Sequence, residues 1–157
     1  MAARTTAARS NLIAAIEHAW AETPPPSEGG ISYNQELDDE RAELEASLRG
    51  RHWREVPRET LFAWRTGLAG LSPAGFRYYL PAFLLAGLEN AEIGGFLLYH
   101  FEAGIENGSI VQKLSSFSTA EREALRAFFQ LMAAEQADSV HPSKDWQAVA
   151  EAVLAKE

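Results

Sequence analysis

The sequence contains no cysteine. Its absence excludes a disulfide framework, a thiolate zinc site and a cysteine nucleophile, because each of these requires the sulfur atom. A chain without cysteine suits a reducing compartment, so we expect the protein to be cytoplasmic. Lysine is also scarce, since it occurs only as Lys113, Lys144 and Lys156.

The motifs of several enzyme classes are absent as well. The chain has no glycine-rich phosphate loop, no Gly-x-Ser-x-Gly nucleophile elbow and no His-Glu-x-x-His zinc pattern. Its four histidines stand far apart in sequence, so they form no ligand set with metal-binding spacing. We therefore predict no catalytic residue, no metal and no cofactor, and we favour a non-enzymatic function.

Long apolar runs are missing too. The apolar run over residues 80–88 ends at Glu89, well short of the roughly 18 residues that a membrane span requires. We therefore predict no membrane partner. The chain is nevertheless long enough for one ordinary core, because a domain of about 150 residues buries roughly 68 to 70% of its unfolded surface.

The charge is strongly one-sided. The formal net charge is -8 at pH 7, which argues against nonspecific binding to nucleic acid because that requires a clustered basic surface. The same charge suits a basic protein partner. We therefore predict a protein partner and no nucleic acid.

The spacing of apolar residues is helical along most of the chain. It predicts helices over residues 6–22, 35–49, 58–69, 73–88, 118–136 and 146–154. Residues 90–117 fit either a helix or a hairpin, and we favour a helix because the sequence offers no obvious partner strand. A proline- and glycine-rich stretch at residues 23–34 predicts a surface loop. The predicted fold is all-α, a single compact domain over residues 1–157 with six to eight helices.

Several residues mark predicted helix boundaries. Ser72 is a good N-cap and precedes a proline at the first helical position, while Gly50 stands where a helix C-cap is expected. Ser118 and Glu121 form a capping-box pattern. Pro81 lies within an apolar run, which predicts a kinked central helix or two short helices, at residues 73–79 and 81–88.

Acidic residues crowd the second predicted helix, and we take them as the candidate partner-binding surface. The residues are Glu36, Asp38, Asp39, Glu40, Glu43 and Glu45. Two other interpretations remain open. Acids near a helix N-terminus are also favoured by the helix dipole, and carboxylates can bind magnesium or calcium. The run lacks the alternating pattern and central glycine of a calcium-binding loop, so we favour a solvated helix face over a metal site.

A second candidate site lies around the aromatic centre of the chain. Its members are Arg77, Tyr78, Tyr79 and His100, which would line a ligand pocket if they converge. The competing interpretation is that the tyrosines and the arginine belong to the core and its hydrogen bonds. A basic segment at residues 49–65, interleaved with Trp53 and Trp64, superficially resembles a phosphate-binding and stacking surface. We expect the preceding acidic helix to neutralise the positive charge of this basic segment.

Three stretches between residues 53 and 130 carry a family resemblance. They are Trp53-x-x-Val56-Pro57, Leu71-Ser72-Pro73-x-x-Phe76-Arg77-Tyr78-Tyr79-Leu80-Pro81-Ala82, and Phe117-Ser118-x-x-Glu121-Arg122. Together they resemble an uncharacterised family of small acidic bacterial proteins, whose members are similar in size and charge to the immunity proteins of bacterial toxin systems. No activity comes with this resemblance, and a family likeness alone does not establish function.

We interpret the chain as a protein-binding module, an immunity or antitoxin-like protein whose acidic helix occludes a basic partner such as a toxin. Complementary charge would mainly accelerate the encounter. The alternative is a small helical enzyme or ligand-binding domain that uses the pocket described above. A homodimer formed through exposed aromatic side chains is a third hypothesis.

Overall fold

The computed structural model describes residues 2–26, 39–65 and 71–136, together with positions 149 and 151. Regular secondary structure within these residues is helical, and they contain no strand. The described part holds seven α-helices and one 3₁₀ helix: α1 (Ala2–Ala19), α2 (Asp39–Leu48), the 3₁₀ helix Trp53–Glu55, α3 (Arg58–Ala63), α4 (Pro73–Glu89), α5 (Ala91–Asn107), α6 (Ser109–Leu114) and α7 (Thr119–Gln136). The predicted all-α fold class is confirmed.

Contacts within the chain group into two compact units. The terminal unit comprises Met1–Glu22 and Phe101–Glu157, and the central unit comprises Thr23–His100. The division falls within α5, after His100. Each unit has buried residues of its own.

In the terminal unit, α1 packs along α7. Three apolar residues recur at helical spacing on α1 and are buried, as the sequence pattern predicts: Leu12, Ile16 and Trp20. The guanidinium of Arg9 donates two hydrogen bonds to the Glu135 carboxylate, at 2.8 and 2.6 Å. This bidentate geometry is the strongest form of an arginine–carboxylate pair, so it fixes the register of α1 against α7.

The turn between α5 and α6 resolves the ambiguity in residues 90–117 in favour of helix. Gly108 adopts the left-handed conformation, with φ of 82°, and Asn107 Oδ1 accepts a 2.8 Å hydrogen bond from the Ser109 backbone N–H. The Asn-Gly signal therefore marks a break between two helices rather than a hairpin turn. A Cβ on Gly104 would lie 3.1 Å from the Ile110 Cβ, a tight contact that would require Ile110 to shift by a few tenths of an ångström where α6 folds back on α5.

The central unit is built around α4, which packs against the 3₁₀ helix and α3. Ser72 caps α4 as predicted, since its Oγ accepts a 3.0 Å hydrogen bond from the Gly75 backbone N–H. Pro81 lies inside α4, and the helix continues through it, so the alternative of two short helices is wrong. Proline removes one helical hydrogen bond, but its neighbours Leu80 and Ala82 are fully buried, and that burial offsets the loss.

Some predicted boundaries differ from the structure or lie outside the described residues. Helix α3 ends at Ala63 rather than at residue 69, and Trp64 and Arg65 form a turn in which the Arg65 backbone N–H bonds to the Phe62 carbonyl oxygen, three residues earlier. Of the predicted loop, residues 23–26 are described and are not helical, while the remainder falls outside. Most of the predicted terminal helix also falls outside. No helix in the described ranges is both long and apolar enough to cross a membrane.

Candidate functional site

Helix α2 carries the part of the acidic surface that the structure describes. Leu44 and Leu48 are 2% and 1% exposed, so they anchor one face of α2 in the central unit. Glu43 is exposed, as the solvated-face interpretation predicts. Asp39, Glu40 and Glu45 lie within the helix, but their side chains lie outside the described part, as do residues 36 and 38 altogether. The acidic surface therefore stays a prediction except at Glu43.

Tyr79 of α4 ties the C-terminal end of α2 to the core. Its hydroxyl lies 2.6 Å from the Leu48 carbonyl oxygen and 2.9 Å from the Arg51 carbonyl oxygen. A phenol has a single proton, so the two carbonyls share it. Between them, Gly50 has a φ of 75°, which confirms the predicted glycine C-cap. Burial raises the pKa of Tyr79 to about 12, with Tyr78 adding to the rise and Arg51 opposing it.

Tyr78 lies beside Tyr79, with its ring in edge contact at 4.9 Å between centroids. Burial raises its pKa, while a hydrogen bond from the Trp53 backbone N–H opposes the rise. His52 packs on the edge of Tyr78, at 5.9 Å between ring centroids. The two tyrosines thus contact the segment that links α2 to α3, and this contact holds α2 and the 3₁₀ helix against α4.

His52 has a structural role that the sequence did not reveal. Its Nδ1 accepts a 3.1 Å hydrogen bond from the Arg54 backbone N–H, and its own backbone N–H donates to Glu55 Oε1 at 3.1 Å. These reciprocal bonds form a capping box in which histidine stands where serine or threonine is usual. The signal that could have revealed this cap is the position of Glu55, three residues after the polar side chain of His52.

The candidate pocket residues contact different neighbours. His100 packs on Phe76, with ring centroids 5.3 Å apart, whereas Tyr78 and Tyr79 contact the segment at residues 48–53. Successive helical residues are separated by about 100°, so Phe76 and Tyr78 lie on nearly opposite sides of α4. Arg77 is half-buried. The pocket of the ligand-binding hypothesis stays a prediction, and the described contacts of its tyrosines are architectural.

Two arginines of the basic segment form ion pairs, but the partners are not those that the sequence suggested. Arg58 donates hydrogen bonds to Glu89 Oε2 at 2.6 and 3.1 Å, and Arg65 Nε lies 2.7 Å from Glu92 Oε2. The acids come from the end of α4 and the start of α5, not from the preceding acidic helix. The positive charges of Arg58 and Arg65 are therefore partly balanced by carboxylates of the central unit.

Sequence reasoning also missed three charged residues buried in the terminal unit. Lys113 is 5% exposed, Glu121 is 0% exposed and Arg122 is 8% exposed. Arg122 Nη2 donates a 2.6 Å hydrogen bond to the Leu114 carbonyl oxygen at the end of α6. Burial lowers the pKa of Lys113 to about 8. For these three residues the sequence predicted a single contact, the Ser118–Glu121 capping box. Both of its hydrogen bonds are present, at 2.8 and 3.1 Å.

Comparison with known protein families places the chain in one of them. A family model described as a family of unknown function, DUF6714, matches residues 8–152. The chain belongs to the DUF6714 family. The DUF6714 match covers nearly all of the sequence, including residues 53–130, which contain the three stretches that resemble an uncharacterised family. Searches of curated proteins and of solved structures each found no match.

Membership of DUF6714 carries no activity, because the family itself is of unknown function. The function must therefore be argued from the site. In the described part of this DUF6714 chain, the features that bear on it are the anchored acidic helix α2 and the exposed aromatic residues of α3 and α5.

Proposed function

We propose that the protein is a non-enzymatic binding module whose acidic helix α2 engages a basic protein, in the manner of an immunity or antitoxin protein. The observation that supports the proposal most is the way α2 is held. Its apolar face is buried through Leu44 and Leu48, its end is capped by Tyr79, and Glu43 points to solvent.

Charge explains which partner this surface would favour. The chain carries a net charge of -8, and the acids of residues 36–45 are concentrated on one short segment. A basic partner would be steered toward that segment at a rate that falls with ionic strength. The alternative, a ligand-binding domain with a pocket at Arg77, Tyr78, Tyr79 and His100, receives less support from the contacts described above.

The test compares two variants that lose the same charge from different places. The first variant carries Asp39→Asn, Glu40→Gln and Glu43→Gln on α2. The control carries Glu17→Gln, Glu106→Gln and Glu123→Gln, which neutralise three exposed acids of the terminal unit. Each protein is used to capture partners from cells of the source organism at low and at physiological salt.

We expect wild type and the control to capture the same basic protein, more strongly at low salt, and the α2 variant to lose it. Circular dichroism and thermal unfolding of all three proteins show whether α2 remains folded. Equal loss from both variants would mean that only overall charge matters. No captured partner at either salt concentration, or capture unchanged in the α2 variant, would overturn the proposal.

A further inference from the structure

Exposed aromatic residues gather on one side of the central unit. Tyr99 is 69% exposed and Phe62 is 36% exposed, although both are large and apolar in most of their surface. The surface to which they belong, called the Gly95 face below, consists of Phe62, Arg65, Glu92, Gly95, Phe96 and Tyr99. On α5 its members follow helical spacing, so they form one continuous strip along the helix.

Arg65 joins the α3 side of this face to the α5 side. Its guanidinium lies 4.0 Å from the centroid of the Phe62 ring and 5.5 Å from that of Phe96, and its Nε is ion-paired with Glu92 at 2.7 Å. Both ring distances are within the range of cation–π attraction. The aromatic rings are thus held in position around a planar cation, and arginine and aromatic residues are enriched at binding hot spots.

Gly95 lies in the middle of this strip, and nothing inside the described part of the molecule explains a glycine there. The residue is exposed and helical, and a Cβ built on it would meet no atom within 4 Å. Glycine within a helix costs about 1 kcal/mol relative to alanine. Because Gly95 has no side chain, another backbone could approach α5 closely from outside at this point.

We propose that the Gly95 face binds a second copy of this chain. The chain has a net charge of -8, so two copies repel one another over most of their surfaces. On the Gly95 face, the charge of Arg65 is already balanced by Glu92, and the neighbouring Arg58 is balanced by Glu89. Two such faces can therefore meet without net repulsion between their paired charges.

A two-fold axis through Gly95 makes this face complementary to itself. Two α5 helices packed antiparallel across that axis would place Tyr99 opposite the first turn of α5 in the other copy. The Tyr99 hydroxyl could then donate a hydrogen bond to the carboxylate of Glu92 of the partner subunit. The Glu92 side chain is 51% exposed, so its carboxylate is accessible to such a donor. The same contact occurs twice, once on each side of the axis.

Self-association through the Gly95 face does not depend on the proposed function of α2. The Gly95 face lies on α3 and α5, whereas the partner surface is on α2, and self-association needs no basic protein. A dimer could form whether or not α2 binds a partner, so the two proposals can fail separately.

The first test measures self-association by sedimentation from low-micromolar to near-millimolar concentration. We expect wild type to dimerise and Gly95→Arg to weaken dimerisation by about a hundredfold or more, because two like charges would face each other across the axis. The substitution replaces an exposed helical glycine by a better helix former, so the monomer should stay folded. Val111→Arg, at an exposed apolar residue of α6, is the matched control and should dimerise like wild type.

The second test uses the absence of cysteine from the chain. Gly95→Cys and Val111→Cys each introduce a single thiol, and mild oxidation joins two thiols only when their α-carbons come within about 7 Å. Dimers cross-linked through position 95 but not through position 111 would support the two-fold axis. Wild type that remains monomeric at every concentration, or equal cross-linking at both positions, would overturn the proposal.

Discussion

In each unit, a buried side chain from one helix donates a hydrogen bond to a carbonyl oxygen at the C-terminal end of a shorter helix. The donor is neutral in the central unit and charged in the terminal unit. In the central unit, the neutral Tyr79 hydroxyl bonds the Leu48 carbonyl at the end of α2. In the terminal unit, the charged Arg122 guanidinium bonds the Leu114 carbonyl at the end of α6. Each contact is 2.6 Å long, so geometry alone does not distinguish them.

The two donors differ in the free-energy cost of burying them. A charged donor forms a stronger hydrogen bond than a neutral one, but it loses more hydration when it is buried. The terminal unit also buries Lys113, whose pKa burial lowers to about 8. We infer that Lys113 makes the stability of the terminal unit depend on pH between about 8 and 10.5, whereas Tyr79 makes that of the central unit depend on pH between 10 and about 12.

The largest expected effect is from removing the charged cap. Arg122→Met should lower the free energy of unfolding by about 2 to 3 kcal/mol, because the Leu114 carbonyl loses a charge-assisted hydrogen bond in a buried position. Urea denaturation measures the change. Arg126→Met is the control on the same helix, since Arg126 is half-buried and its Nε has no hydrogen-bond partner among the described residues. If Arg122→Met lowers the free energy of unfolding no more than Arg126→Met does, the charged cap would not be the stronger of the two caps.

The next effect concerns Lys113 and pH. The folded-state pKa of about 8 lies below the ordinary value of 10.5. Between these two values the unfolded chain binds more protons than the folded chain, so stability should rise with pH through this window. A shift of about 2.5 pKa units, at 1.36 kcal/mol per unit, sets an upper limit of roughly 3.4 kcal/mol, and solvent screening reduces the expected gain to the order of 2 kcal/mol. In Lys113→Met this rise should disappear, and a rise that persists in the variant would assign it to another group.

The smallest expected effect is from the neutral cap. Tyr79→Phe should cost about 1 kcal/mol, because the ring stays buried and only the hydroxyl is lost. Tyr99→Phe, at a tyrosine that is 69% exposed, should change stability by less than about 0.5 kcal/mol.

Tyr79 also makes a prediction for alkaline pH. Its pKa is raised from 10.0 to about 12 in the folded state. The stability that it contributes is therefore fully present below pH 10 and is lost as pH rises toward 12. The alkaline loss should be smaller in Tyr79→Phe than in wild type. Identical alkaline unfolding curves for the two proteins would contradict this role.

The sequence predicted the features that depend on local chemistry. Ser72 and Ser118 cap their helices, and Gly50 is left-handed, because the residues that decide these conformations are near neighbours in the chain. Pro81 was ambiguous, since the burial that keeps α4 continuous through it depends on residues remote in sequence. Local spacing left residues 90–117 undecided between helix and hairpin for the same reason.

The candidate sites were harder to predict because they depend on tertiary neighbours. Arg65 pairs with Glu92 across a distance of 27 positions in sequence, which no local pattern reveals. Tyr79 was named as a candidate pocket residue, but its hydroxyl instead bonds carbonyls about 30 residues earlier in the chain. The burial of Lys113 likewise had no signal in its own helix. Composition indicated an acidic protein, and only the fold shows how its acidic helix is anchored.

The Tyr79 cap has a consequence for how tightly α2 could bind anything. A helix that becomes ordered only on binding pays its ordering entropy from the binding energy, which lowers affinity. Here Tyr79 and the two buried leucines fix the C-terminal half of α2 during folding, before any partner arrives. The exposed carboxylate of Glu43, on this anchored helix, can therefore retain more of its interaction energy as affinity than a carboxylate on a flexible segment.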